Sequence, residues 1–114
     1  MTDQLTLVAN YLTSILSGSP VHYSEKPINE ICTTIKLISS IPVKSHLGNL
    51  LEQGHYQFDC WGNTLTKSKS MSNLIETNLD NNKVDFTLAW LTNKFILNDI
   101  DNGWCRVVLE FNIF

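Results

Sequence analysis

Three cysteines and three histidines are the residues with which this 114-residue chain could bind a soft metal or mount a nucleophile: Cys32, Cys60 and Cys105 with His22, His46 and His55. Zinc needs ligands that converge on a tetrahedron, and sequences that build such sites usually place Cys or His in close pairs. No such pair occurs. His55 and Cys60 share one alternating run but are five residues apart, which puts them on opposite faces of a strand. No flanking motif marks any cysteine as a nucleophile beside a histidine base. Asp99-Ile-Asp101-Asn102-Gly103 has the alternating oxygens and the glycine with which a calcium loop begins, and Glu110 falls at the twelfth position. An EF-hand holds that glutamate in an incoming helix, whereas the residues before Glu110 read as a strand, so a polar turn is the better account. There is no Gly-x-Ser-x-Gly elbow, no Walker sequence and no phosphate-cradling glycine loop. The residue types point to no enzyme, no metal and no cofactor.

Composition narrows the class further. A chain of 114 residues folds as one domain, residues 1–114, and buries roughly two-thirds of its unfolded surface. Charged residues make up 17%, below the usual quarter, which leaves more surface for neighbours to cover. Eight Lys and Arg are scattered against a net charge of -3, the opposite of a duplex-binding stripe. The cysteines, odd in number and each inside a strand-like run, read as reduced core residues of a cytosolic protein. No cationic-then-apolar leader opens the chain, and no segment approaches the ~18 apolar residues of a spanning helix.

The elements that must carry these residues follow from periodicity. Leu5, Val8, Ala9, Leu12, Ile15 and Leu16 recur at helical spacing from Thr2, and Gly18 with Pro20 ends the run. Val21-His22-Tyr23 is a short extended piece. Ile31 to Ile38 alternates and is rich in β-branched residues, as a strand prefers. From Ser39 to Gly54, Pro42, Gly48 and Gly54 interrupt every period, so a long loop is expected, with one helical turn around Leu47 to Leu51. His55 to Trp61 is a strand with Tyr56, Phe58 and Cys60 on one side. A helix capped by Asn63 or Thr64 then runs to Leu79, its buried stripe reading Leu65, Ser68, Met71, Ser72, Ile75 and Leu79. Val84 to Leu91 alternates as a strand, Asn98 to Gly103 has turn composition, and Trp104 to Phe114 closes with Cys105, Val107, Leu109, Phe111 and Ile113 inward. The expected fold class is α+β: a single mixed, mostly antiparallel sheet of four to five strands with two main helices packed on one face.

Trp61, Trp90 and Trp104 with Tyr56 and Phe58 could stack single-stranded bases, but such platforms sit in basic grooves. Asp59, Asp85, Asp99 and Asp101 surround them here, which favours core or interface roles.

The order of elements resembles that of the tail terminator and tail-completion proteins of the phage head-tail junction. The resemblance lies in the amphipathic helix Leu5 to Leu16, the strand Gln57-Phe-Asp-Cys-Trp-Gly62 leading directly into the helix Thr64 to Leu79, and the closing Arg106-Val-Val-Leu-Glu-Phe-Asn-Ile113. It implies a virion subunit that assembles as a homo-oligomer, a hexameric ring, at the head-proximal end of the tail. The implied partners are the tail tube protein and the head-tail connector or stopper protein, with DNA passing through the lumen unbound and no membrane involved. A mildly acidic subunit suits such a lumen, since it repels phosphate. Lys44, His46 and Glu52 in the expected loop are candidates for contact with the tube or a neighbour. Arg106 and Glu110, facing away from the core, are candidates for a subunit contact, and charge reversal at either is expected to weaken assembly more than folding. A second reading is a small cytosolic binding module such as a toxin immunity protein, with Asp85, Asp99, Asp101 and Glu110 as an acidic face. Assembly state separates the two: a ring against a monomer or dimer.

Overall fold

The computed structural model describes residues 4–16, 19–23, 31–44, 50–83, 86, 88–99 and 103–114. Helix α1 (Gln4–Ile15) is followed by strands β1 (Val21–Tyr23), β2 (Cys32–Lys44) and β3 (Leu50–Gly62), then helix α2 (Leu65–Leu79) and strands β4 (Ala89–Asp99) and β5 (Trp104–Ile113). The strands form one sheet in the order β1-β2-β3-β5-β4. Only β1 and β2 run parallel; the other three pairings are antiparallel. The α+β class, the mixed sheet and the two helices agree with the sequence reading. No described helix is long and apolar enough to cross a membrane.

One face of the sheet carries the core. Alternation along β3 and β5 turns Tyr56, Phe58 and Cys60, and Val107, Leu109, Phe111 and Ile113, toward the helices, and all seven are fully buried. The Phe58 ring packs at 6.1 Å from Tyr56 and 5.6 Å from Phe111, centroid to centroid. From above, α1 contributes Val8, Ala9 and Leu12, and α2 contributes Met71, Ile75 and Leu79. The first turns of α2 come closest to the sheet because their buried residues are small: Ser68 Oγ donates to the Cys105 carbonyl at 2.8 Å. Gly62 completes that approach, since a Cβ there would sit 2.8 Å from Ser68 Oγ and 2.9 Å from its backbone nitrogen. At the other end of the core, Tyr56 Oη donates to Gln4 Oε1 at 2.7 Å and Gln4 Nε2 donates to the Ile113 carbonyl at 3.0 Å. This clasp joins α1 to β3 and β5 over Gly54, where a Cβ would run into the Tyr56 ring and Gln4 Oε1.

Two expectations are corrected. Ser39 to Gly54 is not a long loop: β2 continues to Lys44 and β3 begins at Leu50, in register from Ser40↔Gly54 to Lys44↔Leu50. The punctuation that suggested a loop has other uses here. Pro42 stands opposite Glu52 in a ribbon whose outer side meets no described strand, where a missing N–H is tolerated, and Gly54 makes room for the clasp. Leu50 and Leu51 belong to β3 and not to a helical turn, while residues 45–49 lie outside the described residues. Likewise the strand expected over Val84 to Leu91 is displaced: β4 starts at Ala89 and runs to Asp99, taking in Phe95-Ile96-Leu97 and the first two residues of the expected turn. Residues 84, 85 and 87 are outside the described residues. Pairing with β5 selects this register, and a bulge between Leu91 and Asn93 breaks the period that would have announced it.

Candidate assembly interface

Four described residues of β3, His55, Gln57, Asp59 and Trp61, and four of β5, Arg106, Val108, Glu110 and Asn112, lie on the sheet face opposite the helices. Their side chains are tied to one another. Arg106 Nη1 lies 3.2 Å from Asp59 Oδ2, and its guanidinium stacks 4.8 Å above the centre of the Trp61 ring. Gln57 Nε2 donates to the other Asp59 oxygen at 2.9 Å, and Trp61 Nε1 donates to Thr34 Oγ1 at 3.2 Å. His55 Nδ1 and Asn112 Oδ1 meet at 2.7 Å. The row closes over Val108, which is 1% exposed without any helix above it. Arg106 is therefore engaged inside its own chain, while Glu110 stands half-buried in the same row.

The remaining sequence candidates are not gathered there. Lys44 ends β2 opposite Leu50, and Glu52 stands in β3 opposite Pro42; both belong to the ribbon that extends past the end of β5, whose pairing with β3 stops at Gly54↔Ile113. Asp99 ends β4 opposite Trp104, at the far end of the sheet. The thirteen residues of β3 alone separate these ends by ~40 Å. His46 and Asp101 lie outside the described residues. Asp99 is also six residues along β4 from the partner of Glu110, Asn93, a separation of ~20 Å, so these two members of the suggested acidic face do not form one patch.

Of the exposed large apolar side chains among the described residues, which sequence reasoning missed, Leu7 and Leu74 lie on the helices and six lie toward the two borders of the sheet. On one side Phe95, Ile96 and Leu97 of β4 are 38%, 44% and 40% exposed; on the other, Tyr23 of β1 and Leu37 and Ile38 of β2 are 53%, 37% and 45% exposed. A signal for the first was present: three consecutive apolar residues in a strand cannot all face one core. Elsewhere, a groove of about 360 Å³ between the end of α1 and α2 is lined by Leu16, Ser19, Ile31, Lys67, Ser70, Met71 and Leu74. Among its described lining residues Lys67 is the one titratable group.

No family model matches the chain, and no curated protein matches it. A solved structure does. With a TM-score of 0.67 and 9% sequence identity, the chain superposes on a chain of the virion of the native gene transfer agent (GTA) particle, over 94% of this chain and 91% of that one. The two share a fold. The likeness spans nearly the full length of both chains, not a single motif.

Proposed function

We propose that the protein is a structural subunit of a phage-like virion, and within it the tail terminator: a ring that caps the head-proximal end of the tail tube and joins it to the head connector. The observation that carries this reading is the shared fold with a virion chain across nearly the full length of both. The order of elements that resembles the tail terminator family supports the finer assignment. So does the shape, because the ribbon Ile41–Lys44 with Leu50–Gln53 reaches about 13 Å beyond the sheet, four residues at ~3.3 Å each. A ring also needs two different contact patches on each subunit, and the two sides of the sheet carry apolar residues of different identity. A net charge of -3 keeps a lumen from holding phosphate.

The test is a mass measurement with negative-stain imaging of the purified protein, alone and with polymerising tail tube protein. A sixfold ring and tubes arrested at defined length with the ring at one end are the expected result. Monomers that leave tube length unchanged would sink the reading.

A further inference from the structure

No described strand of the chain covers the exposed stretch of β4. Ahead of it, Asn82 O accepts from the Ala89 N–H at 3.1 Å and Asp80 Oδ1 accepts from the Leu91 N–H at 2.9 Å, so the beginning of the edge is occupied from within. Past the bulge, the Lys94 N–H is taken by Asn93 Oδ1 at 2.9 Å. Successive residues of an antiparallel strand point their N–H groups to alternate sides. An N–H of Lys94 turned away from β5 therefore places that of Ile96 outward as well, on the side where no described strand lies. An outward backbone donor, that of Ile96, and three exposed apolar side chains coincide at Phe95–Leu97, the combination that invites another strand.

The opposite edge matches it. β1 covers β2 only from Thr33 to Ile35, so the outer border of the sheet is β1 at that level and β2 beyond it, with Tyr23, Leu37 and Ile38 exposed along it. Strand direction decides how the two borders can meet. If β2 rises, β3 falls, β5 rises and β4 falls, while β1 rises with β2. A neighbour related by rotation about an axis along the strands keeps these directions, so its rising β1–β2 border meets a falling β4.

We infer that the Phe95–Leu97 edge of one subunit pairs antiparallel with the β1–β2 border of a second copy, so that the sheet continues from subunit to subunit. This deepens the ring reading above by naming its junction. The contact is heterologous, two different patches on each copy, which is the kind that closes into rings. At the height of Phe95–Leu97, which the registers carry through Val108, Asp59 and Thr34 to β1, the contact brings these side chains against the strand that exposes Tyr23.

Two variants test it. Ile96→Pro removes an outward N–H while keeping the pairing of β4 with β5, since proline is tolerated where the N–H faces away from the ladder. Tyr23→Lys places a charge on the other border, and Leu97→Lys serves as a second β4 variant should the proline disturb folding. Each is expected to melt as the parent does and to raise the subunit dissociation constant at least tenfold in sedimentation. Mixed in equal amounts, Ile96→Pro and Tyr23→Lys still offer one intact border each and are expected to form a 1:1 dimer that goes no further. Self-assembly of Tyr23→Lys at parental strength would instead show a two-fold β4 to β4 contact and overturn the inference, as would a parent protein that stays monomeric at every concentration. Rings that vanish in these variants but never affect tubes would leave the junction standing and remove the terminator assignment. Rings that cap tubes and survive every variant would do the reverse.

Discussion

Burial pushes the Cys60 thiol from 9.0 up to about 12, against the opposing hydrogen bond from Thr33. Below pH 9 the thiol is protonated in both native and unfolded chains and stability does not depend on it. Between pH 9 and 12 the unfolded chain loses the proton and the native one keeps it, so stability falls as pH rises, by at most about 1.4 kcal/mol per pH unit. Melting curves are expected to drop more steeply over that range for the parent than for Cys60→Ala; parallel slopes would contradict the burial. The outer face supplies a second contrast between single residues. Arg106→Glu would set a carboxylate against Asp59, whose side chain is only 13% exposed, and should cost about 2–3 kcal/mol in urea unfolding. Glu110→Lys, in the same row, is expected to change stability by about 0.5 kcal/mol or less. The two charges that looked equivalent in the sequence thus separate into one that holds the sheet and one free to serve a contact.

Among the elements, α2 is fixed at both ends by local chemistry. Thr64 Oγ1 accepts from the Lys67 N–H at 3.3 Å, and after Leu79 the chain turns through Asn81 at a φ of 60°. Thr64→Ala should cost about 1 kcal/mol by thermal or urea unfolding and Thr64→Ser almost nothing. Cap, small-residue stripe and length of this helix were legible in the sequence because each leaves a local mark. β5 was legible for a related reason: one face is packed against helices, and alternation records that fact in Val107, Leu109, Phe111 and Ile113. The ribbon of β2 and β3 left no such mark. Past Ser40↔Gly54 it is two-stranded, beyond the reach of β5, and Pro42 there reads as a breaker when it is an edge residue. β4 was misplaced because the run that alternates best, Val84 to Leu91, coincides with the strand only from Ala89 to Leu91 among the described residues, and Phe95-Ile96-Leu97 does not alternate at all. The interface candidates failed to converge for a further reason: spacing along a chain says nothing about which ends of a sheet its residues reach.

At the scale of the whole molecule the ribbon gives a principal extent of 52 Å against 24 and 23 Å for the others. Replacing Ile41–Gln53 with an Asn-Gly turn between Ser40 and Gly54 is expected to leave urea stability within about 1 kcal/mol, because a shorter connection offsets the loss of a marginal two-stranded extension. If the ribbon docks on the tube, the shortened protein should still form rings yet no longer arrest tube growth in negative stain; arrest at parental efficiency would remove that role. The strand order holds one more consequence, in time and not in space. β3 sits between β2 and β5, yet β5 follows it in the chain only after α2 and β4. During synthesis β3 therefore waits with one flank unpaired, and the Gln4 clasp, which spans 109 residues, cannot close until Ile113 has emerged. Such distant pairings make folding slow, and the β4 border, which forms on β5, is built only once β5 has emerged. In the proposed ring, half-made chains are thereby kept from joining.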